Sequence, residues 1–382
     1  MSKLFQSYNL PPFGFGIEHM RALLIHTMEK GASDLYITSN LPVAIKIKGV
    51  VKQYYDTILD FHEIEQVLSE MFHDGLFSSI MSGRQFDDSY TIKDVKINGH
   101  YKKSITFRAH VSSSSSRDEI SFVARTIDEE PPTYQSIGVD PVLVSVQLEV
   151  RKGIGFIGGA TNSGKSTTIA SLIRAMLESV AVNINTLESP IEYTYRSIKE
   201  PKGRIDQQHI GVDVDDFSAG VRGAMRSSPD VILIGEVRDA ETADAAISSA
   251  YTGHNLLTTI HINRAYLLFE RLASFFETKE REVMISKAID LLNFICIQTL
   301  VPSINGGRVA VRETLVVDSN MKKQLHEAAK LNNMNSVMEN LLMEYGTPYY
   351  VDARNLLDAG TISKEAYNRF CYSIGESDYV LH

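Results

Sequence analysis

"GGATNSGKSTT", residues 158–168, has the form of a phosphate-binding loop. Gly159, Gly164, Lys165 and Ser166 stand at the G-x-x-x-x-G-K-S spacing, and chemistry accounts for each of them. Glycines let backbone N–H groups turn inward on a β-phosphate, Lys165 reaches the β- and γ-phosphates, and the Ser166 hydroxyl is placed to bind magnesium. Ala160, Thr161, Asn162, Ser163 and Thr167 complete the expected nucleotide-binding residues. An apolar run with Ile154, Phe156 and Ile157 leads in, and Ile169, Leu172, Ile173, Met176 and Leu177 follow at helical spacing. The phosphates are therefore expected at a helix N-terminus, where free amides and the helix dipole favour anions. The loop predicts binding and leaves use open: a switch, a kinase and a motor all carry one.

Downstream, short apolar runs alternate with helical stretches: "KSTTIASLIRAMLE", "VNINTLE", "DFSAGVRGAMRSS", "DVILIGE", "AETADAAISSAYTG" and "NLLTTIHI". Such alternation predicts an α/β domain with a parallel sheet over about residues 142–318. Upstream, "IEHMRALLIHTMEKG" and "DFHEIEQVLSEMF" read as helices, and "DLYIT", "VAIKIKGVVKQY", "KSITFRAHV" and "EISFVARTI" as strands, which predicts an α+β domain over residues 1–126. Ser112 to Ser116 between the last two strands reads as a flexible hairpin loop. The acidic, proline-bearing "DEEPPTYQSIGVDP" marks a linker at 127–141, since paired prolines continue neither a helix nor a central strand. Residues 319–382 return to helical patterns such as "MKKQLHEAAKL" and "SKEAYNRFCYSI", a C-terminal extension without recognisable chemistry.

Carboxylates stand at the ends of two later apolar runs. In "SSPDVILIGEVRDAETAD", Glu236 closes a strand expected beside the loop strand, where it can hold magnesium through water or activate the attacking water. In "NTLESPIEYTY", Glu188 and Glu192 lie four apart around a proline, and Glu188 is the better placed to join Glu236 as a metal or catalytic group. His254 and His261 flank a further strand; His261, at its end, is the candidate to sense a γ-phosphate. No histidine has a partner at zinc spacing. Arg222 and Arg226, four apart on a predicted helix, face one side and suit a neighbouring subunit, phosphate or solvent equally.

The chain has 382 residues, formal net charge −9, and two cysteines, Cys296 and Cys371. The acidic balance argues against a nucleic-acid binder held by bulk charge, and the cysteine usage against a disulfide framework, so a cytoplasmic protein is expected. The opening "MSKLFQSYNLPPFGFG" lacks a basic region followed by an apolar core, and no run reaches the length of a membrane span, so any membrane association is expected to be peripheral.

"GATNSGKSTT", "LESPIE", "AMRSSPDVILIGEVRDAETADAA" and "TGHNLLTTIH" together resemble, in order and spacing, the Walker A, acidic, Walker B and histidine boxes of GspE/PilT-type secretion ATPases. "GASDLYITSNLPVAIKIKGVV" resembles the opening of that family's N-terminal domain, and "LESPIEYTY", with serine after the first glutamate, is most similar to the DotB/TraJ branch of type IVB secretion and I-type conjugation. The resemblance implies a RecA-like P-loop NTPase domain preceded by a PAS-like α+β domain. It also implies ATP and magnesium as cofactors, and a homo-hexameric ring at the cytoplasmic face of the bacterial inner membrane. The ring would work with membrane-embedded and cytoplasmic components of a secretion or conjugation apparatus, without sequence-specific nucleic-acid binding. On that pattern Glu188 and Glu236 are the catalytic acids. Arg108, Arg117 and Arg125 match the arginines that the family's N-terminal domain sends toward the γ-phosphate. Two departures stand out: Asn162 replaces a frequent loop glycine, and Ser189 an aspartate, which shifts weight to Glu188. A nucleic-acid motor of RecA type and a nucleotide-gated assembly factor with negligible turnover are the alternative readings. No "LSGGQ"-like or "NKxD" run points to a transporter ATPase or a guanine-specific switch.

Overall fold

The computed structural model describes residues 14–47, 50–72, 75–83, 85–114, 119–127, 130–149 and 152–376. They fall into two compact units, Met1–Glu129 with Glu192–Thr194, and Glu130–Ile191 with Tyr195–His382.

The first unit is built from α1 (Ile17–Glu29), β1 (Ala32–Thr38), β2 (Pro42–Ile47), β3 (Val50–Ile58), α2 (Phe61–Met71), α3 (Leu76–Met81), β4 (Phe86–Ile97), β5 (His100–Ser114) and β6 (Glu119–Ile127). Its six strands run in the order β3-β2-β1-β6-β5-β4, all pairs antiparallel. Residues along β6 alternate between buried and part-exposed, as a sheet covered on one face requires. Phe107, Ala109, Phe122 and Ala124 share one core with Met20 and Leu24 of α1 and Ile64 and Leu68 of α2. The start of α2 is fixed by a reciprocal cap: Asp60 accepts from the Glu63 amide, and Glu63 accepts from the Asp60 amide. "VAIKIKGVVKQY" divides into β2 and β3, which pair through Ile47 and Val50. The helix α3 and strand β4 were not expected from the sequence.

The second unit begins with α4 (Pro141–Glu149) and β7 (Gly153–Gly158), then α5 (Lys165–Ser179), β8 (Asn183–Glu188), β9 (Arg204–His209), α6 (Phe217–Ala224), β10 (Val231–Ile234), α7 (Ala240–Tyr251) and β11 (Asn255–Ile260). It continues through α8 (Leu268–Phe275), α9 (Thr278–Leu291), the hairpin β12 (Leu292–Pro302) and β13 (Arg308–Val316), and α10 (Ser319–Lys330), α11 (Met334–Tyr345), α12 (Tyr349–Asp358) and α13 (Lys364–Ile374). The sheet order is β13-β12-β7-β11-β10-β8-β9, parallel throughout except for the β12–β13 edge. Every residue of β7, β10 and β11 is buried, which explains the apolar runs of β7 and β10, while β11 also buries Asn255, Thr258 and Thr259.

One expectation is corrected here: β10, the strand before Glu236, does not neighbour the loop strand β7, because β11 inserts between them. Parallel strands are joined by crossovers long enough to skip a position, so chain order does not set sheet order. The helices after residue 318 pack into the same core: Met321, Leu325, Leu342, Tyr349, Tyr367 and Phe370 join Ile154, Phe156 and Ile234. The segment before α4 is also tied down. Arg174 of α5 pairs with Glu130 at 3.1 Å and donates to the Pro131 carbonyl. Arg312 of β13 donates to the Ile137 and Gly138 carbonyls at 3.0 and 2.9 Å.

Candidate functional site

The loop between β7 and α5 takes three turns of backbone that L side chains seldom adopt, with φ of 145° at Gly159, 63° at Asn162 and 88° at Gly164. Glycine is required at Gly159 on space as well, since a Cβ there would lie 2.4 Å from the Gln298 carbonyl oxygen and 2.4 Å from Ser163 Oγ. Asn162 occupies the left-handed region that asparagine tolerates better than other non-glycine residues, so its departure from the frequent glycine keeps the same backbone path. The Ser163 amide closes the turn on the Ala160 carbonyl, and the first helical bond of α5 runs from Thr168 N to Gly164 O. The amides of the helix's first turn precede that bond and stand at the loop. Lys165 Nζ donates to the Gly159 and Ala160 carbonyls, 2.9 Å each, which holds its ammonium across the loop's mouth. Ser166 and Thr167 follow on the first turn of α5, both part-exposed.

Parallel strands point the same ends to the same edge, so consecutive strand ends line up the remaining candidates. Next to the loop on β7 comes His261, one residue past β11, then Glu236, two past β10, then Glu188, the last residue of β8. His261 Nε2 lies 3.3 Å from Glu236 Oε1, with both side chains a little over a third exposed. Gly235 lets β10 press against β8: its amide donates to the Leu187 carbonyl at 2.7 Å, and a Cβ would lie 3.4 Å from Glu188 Cα. Glu188 Oε1 accepts from Thr186 Oγ1 at 2.6 Å and from Gln207 Nε2 at 3.0 Å, and these two donors orient the carboxylate. Glu192 is exposed beyond the Ser189–Pro190 bond. His254 stands at the opposite edge, before β11, with Nδ1 3.0 Å from the Ser249 carbonyl, where it finishes α7.

Arg222 and Arg226 do not share a helix face as expected. The α-helix stops at Ala224 and a 3-10 turn, Met225–Ser227, carries Arg226, because the tighter winding breaks the four-residue spacing. In the first unit, Arg125 pairs with Arg108 across β6–β5 and with Asp34 across β6–β1, so all three stand on one face of that sheet. Arg125 Nε donates to Asp34 Oδ1 at 2.7 Å, and Arg108 Nη2 lies 3.4 Å from Asp87 Oδ1. Arg117 lies outside the described residues.

Several groups beneath the loop were not expected. Gln298 and Arg312, both buried, come from the β12–β13 hairpin, 135 residues past Ser163 and 144 past Thr168 respectively. Burial pulls the Arg312 guanidinium below its ordinary pKa, and burial, with the nearby Asp140 charge, pushes the Asp352 carboxyl above its own; Asp352 accepts from the Arg312 amide at 2.7 Å. Burial likewise raises Glu313, which Arg264 meets at 3.2 Å, and drives the Cys296 thiol to about 12, an inert core group. A cavity of about 570 Å³ opens beside the first turn of α5, lined among others by Ser136, Gly138, Thr167, Leu300, Arg308 and Leu356. No linear signal announces it, since its walls come from the segment before α4, the hairpin and α12.

Known proteins similar to this chain share one family. Residues 13–360 match the family model described as type II/IV secretion system protein. The X-ray structure of the Legionella pneumophila ATPase DotB superposes with a TM-score of 0.79 at 29% identity, covering 95% of this chain and 98% of that one. The crystal structure of the pilus retraction motor PilT with bound ADP gives a TM-score of 0.76 at 27% identity, covering 91% and 95%. The type IV pilus retraction ATPase PilT of Pseudomonas aeruginosa is 29% identical over 294 residues, 77% of this chain and 81% of that protein.

Proposed function

The chain belongs to the type II/IV secretion system protein family, on the DotB/PilT side of it, and is a P-loop ATPase; on that premise we propose that it is a ring-forming motor hydrolysing ATP for a type IVB secretion or conjugation apparatus. The observation that carries the reading is the row of strand ends: loop, His261, Glu236 and Glu188 on one edge of one parallel sheet. The loop amides and Lys165 would hold the β- and γ-phosphates, and the cavity beside Thr167 has the volume of a nucleoside seat. Magnesium, when bound, would neutralise charge on the β- and γ-phosphate oxygens; Ser166 offers it a hydroxyl, and Glu188 and Glu236 water-mediated contacts. The residues fit that ion, because a hydroxyl and carboxylates are hard oxygen donors. Among the described residues no cluster of three or more His, Cys, Asp or Glu forms a separate metal site.

Glu236 orients the attacking water and accepts its proton, and His261 holds that carboxylate from the side nearer the loop. Arg108, Arg117 and Arg125 would supply positive charge to a neighbouring subunit's γ-phosphate, which makes the homo-hexamer the active form. Among the described residues no helix is long and apolar enough to cross a membrane, which suits peripheral docking on membrane-embedded components. The test is ATPase rate against protein concentration, with mass measured in the presence and absence of a nonhydrolysable ATP analogue. A rate that rises with ring formation is expected; a full rate in the monomer would overturn completion of the site between subunits.

A further inference from the structure

Gln298 sits directly under the phosphate loop, 1% exposed, on the strand β12 that runs beside β7. Its Nε2 donates to the Ser163 carbonyl at 2.7 Å, and its Oε1 accepts from Thr168 Oγ1 at 2.8 Å. Thr168 is itself reached by Arg312 Nη2 at 3.4 Å, while Nη1 of the same guanidinium is taken by the Ile137 and Gly138 carbonyls. Every member of this chain is fixed in direction. A guanidinium only donates, so Thr168 accepts from it and must give its single hydroxyl proton to Gln298. The Ser163 carbonyl only accepts, so the amide nitrogen of Gln298 must face it. In a low-dielectric interior such a donor chain, begun by a cation, polarises each successive bond.

The consequence falls on the peptide unit joining Ser163 to Gly164. In a planar trans peptide the C=O and N–H point to opposite sides. Holding the Ser163 carbonyl down on Gln298 therefore turns the Gly164 N–H up, toward the side where phosphate binds. Gly164, at φ of 88°, offers no side chain to resist the opposite flip, so the loop's own backbone does not select this orientation.

We infer that Gln298 is a positioning residue for phosphate binding: with Thr168 and Arg312 it sets the Ser163–Gly164 peptide so that the Gly164 amide faces the β-phosphate. The assignment rests on the nucleotide reading above and adds residues to it that lie outside the loop motif. It also explains why the loop, the start of α5 and the hairpin share a buried polar seam.

The experiment compares binding of ADP with magnesium and of AMP to the full chain carrying Gln298→Met, Thr168→Val or Thr168→Ser, with melting temperature recorded without nucleotide. AMP lacks the β-phosphate that the Gly164 amide would meet. Gln298→Met and Thr168→Val are expected to weaken ADP about tenfold, as the loss of one well-placed donor to a charged group would, and AMP less than twofold. Thr168→Ser, which keeps both roles of the hydroxyl, is expected to bind ADP like the parent. If Gln298→Met does not fold, Thr168→Val carries the comparison, and Gln298→Asn, which keeps the amide but withdraws it, is its companion. Equal weakening of ADP and AMP, or unchanged ADP binding in a folded variant, overturns the positioning role alone. A parent chain that binds neither nucleotide overturns the nucleotide reading, and the role of Gln298 with it.

Discussion

The two sheets present functional groups by different means. In the parallel sheet the loop, His261, Glu236 and Glu188 hang from consecutive strand ends, and the strands β7, β11 and β10 that carry the first three are wholly buried. In the antiparallel sheet Arg108 and Arg125 project from the middle of strands, and side-chain partners rather than backbone hold them. The first arrangement fixes geometry through the core, so its residues can be changed chemically without moving their neighbours. The second makes each arginine's availability depend on a carboxylate beside it.

The largest effect is expected at Lys165. Its ammonium spans the Gly159 and Ala160 carbonyls, and Lys165→Ala removes both that tie and the charge on the phosphates. Loss of measurable ATPase activity and of tight ATP binding is expected, read by turnover and by nucleotide titration. Glu236→Gln and Glu188→Gln come next. Each keeps the side-chain volume at a strand end, so ATP binding should stay within a few fold while turnover falls by about 10²-fold or more, through a lost general base at Glu236 and a lost metal contact at Glu188. Equal loss of affinity in all three variants would break the division of labour between loop and strand ends.

The arginines sharpen the comparison further, because their two described members have unlike partners. Asp34 is 2% exposed while Arg125 is 53% exposed, so Arg125→Ala leaves a buried carboxylate without its cation. A loss of about 1–2 kcal/mol from the first unit's stability is expected, below the full cost of an unpaired buried charge because solvent reaches the guanidinium. Arg108 and Asp87 are both over a third exposed and 3.4 Å apart, a pair of little worth, so Arg108→Ala should leave melting unchanged. Any loss of ring-dependent ATPase activity in Arg108→Ala then reports on chemistry, whereas in Arg125→Ala it must be corrected for stability. Identical melting of the two variants would remove the distinction between a buried strut and an exposed, weak pair.

Much of this was legible along the chain, and the reasons separate what was from what was not. The loop, its helix and the acidic strand ends are local: glycine spacing, helical periodicity and an apolar run into a glutamate are written in consecutive residues. The insertion of β11 between β7 and β10 is not, since crossovers can skip a position and the sequence records only chain order. Gln298 and Arg312 were missed for a related reason. A glutamine inside "FICIQTLVP" carries no local pattern, and its partners Ser163 and Thr168 lie 135 and 130 residues away. Strand β4 went unread because the alternation in "FDDSYTIKDVKI" changes phase, its buried residues falling at Tyr90 and Ile92 and then at Val95 and Ile97, and pairing with β5 holds it in the sheet.

The smallest expected effect concerns Asn162, the loop's departure from glycine. Its φ of 63° costs a branched or bulky residue about 1–2 kcal/mol, but asparagine far less and glycine nothing. If the residue serves only the backbone path, Asn162→Gly should bind ADP within about threefold of the parent. Asn162→Val should bind it about tenfold more weakly, because valine resists the left-handed turn and pulls the following amides out of line. A large loss in Asn162→Gly would mean that the exposed carboxamide itself touches the ligand, and the loop would then join the antiparallel sheet in relying on a side chain where backbone was thought sufficient.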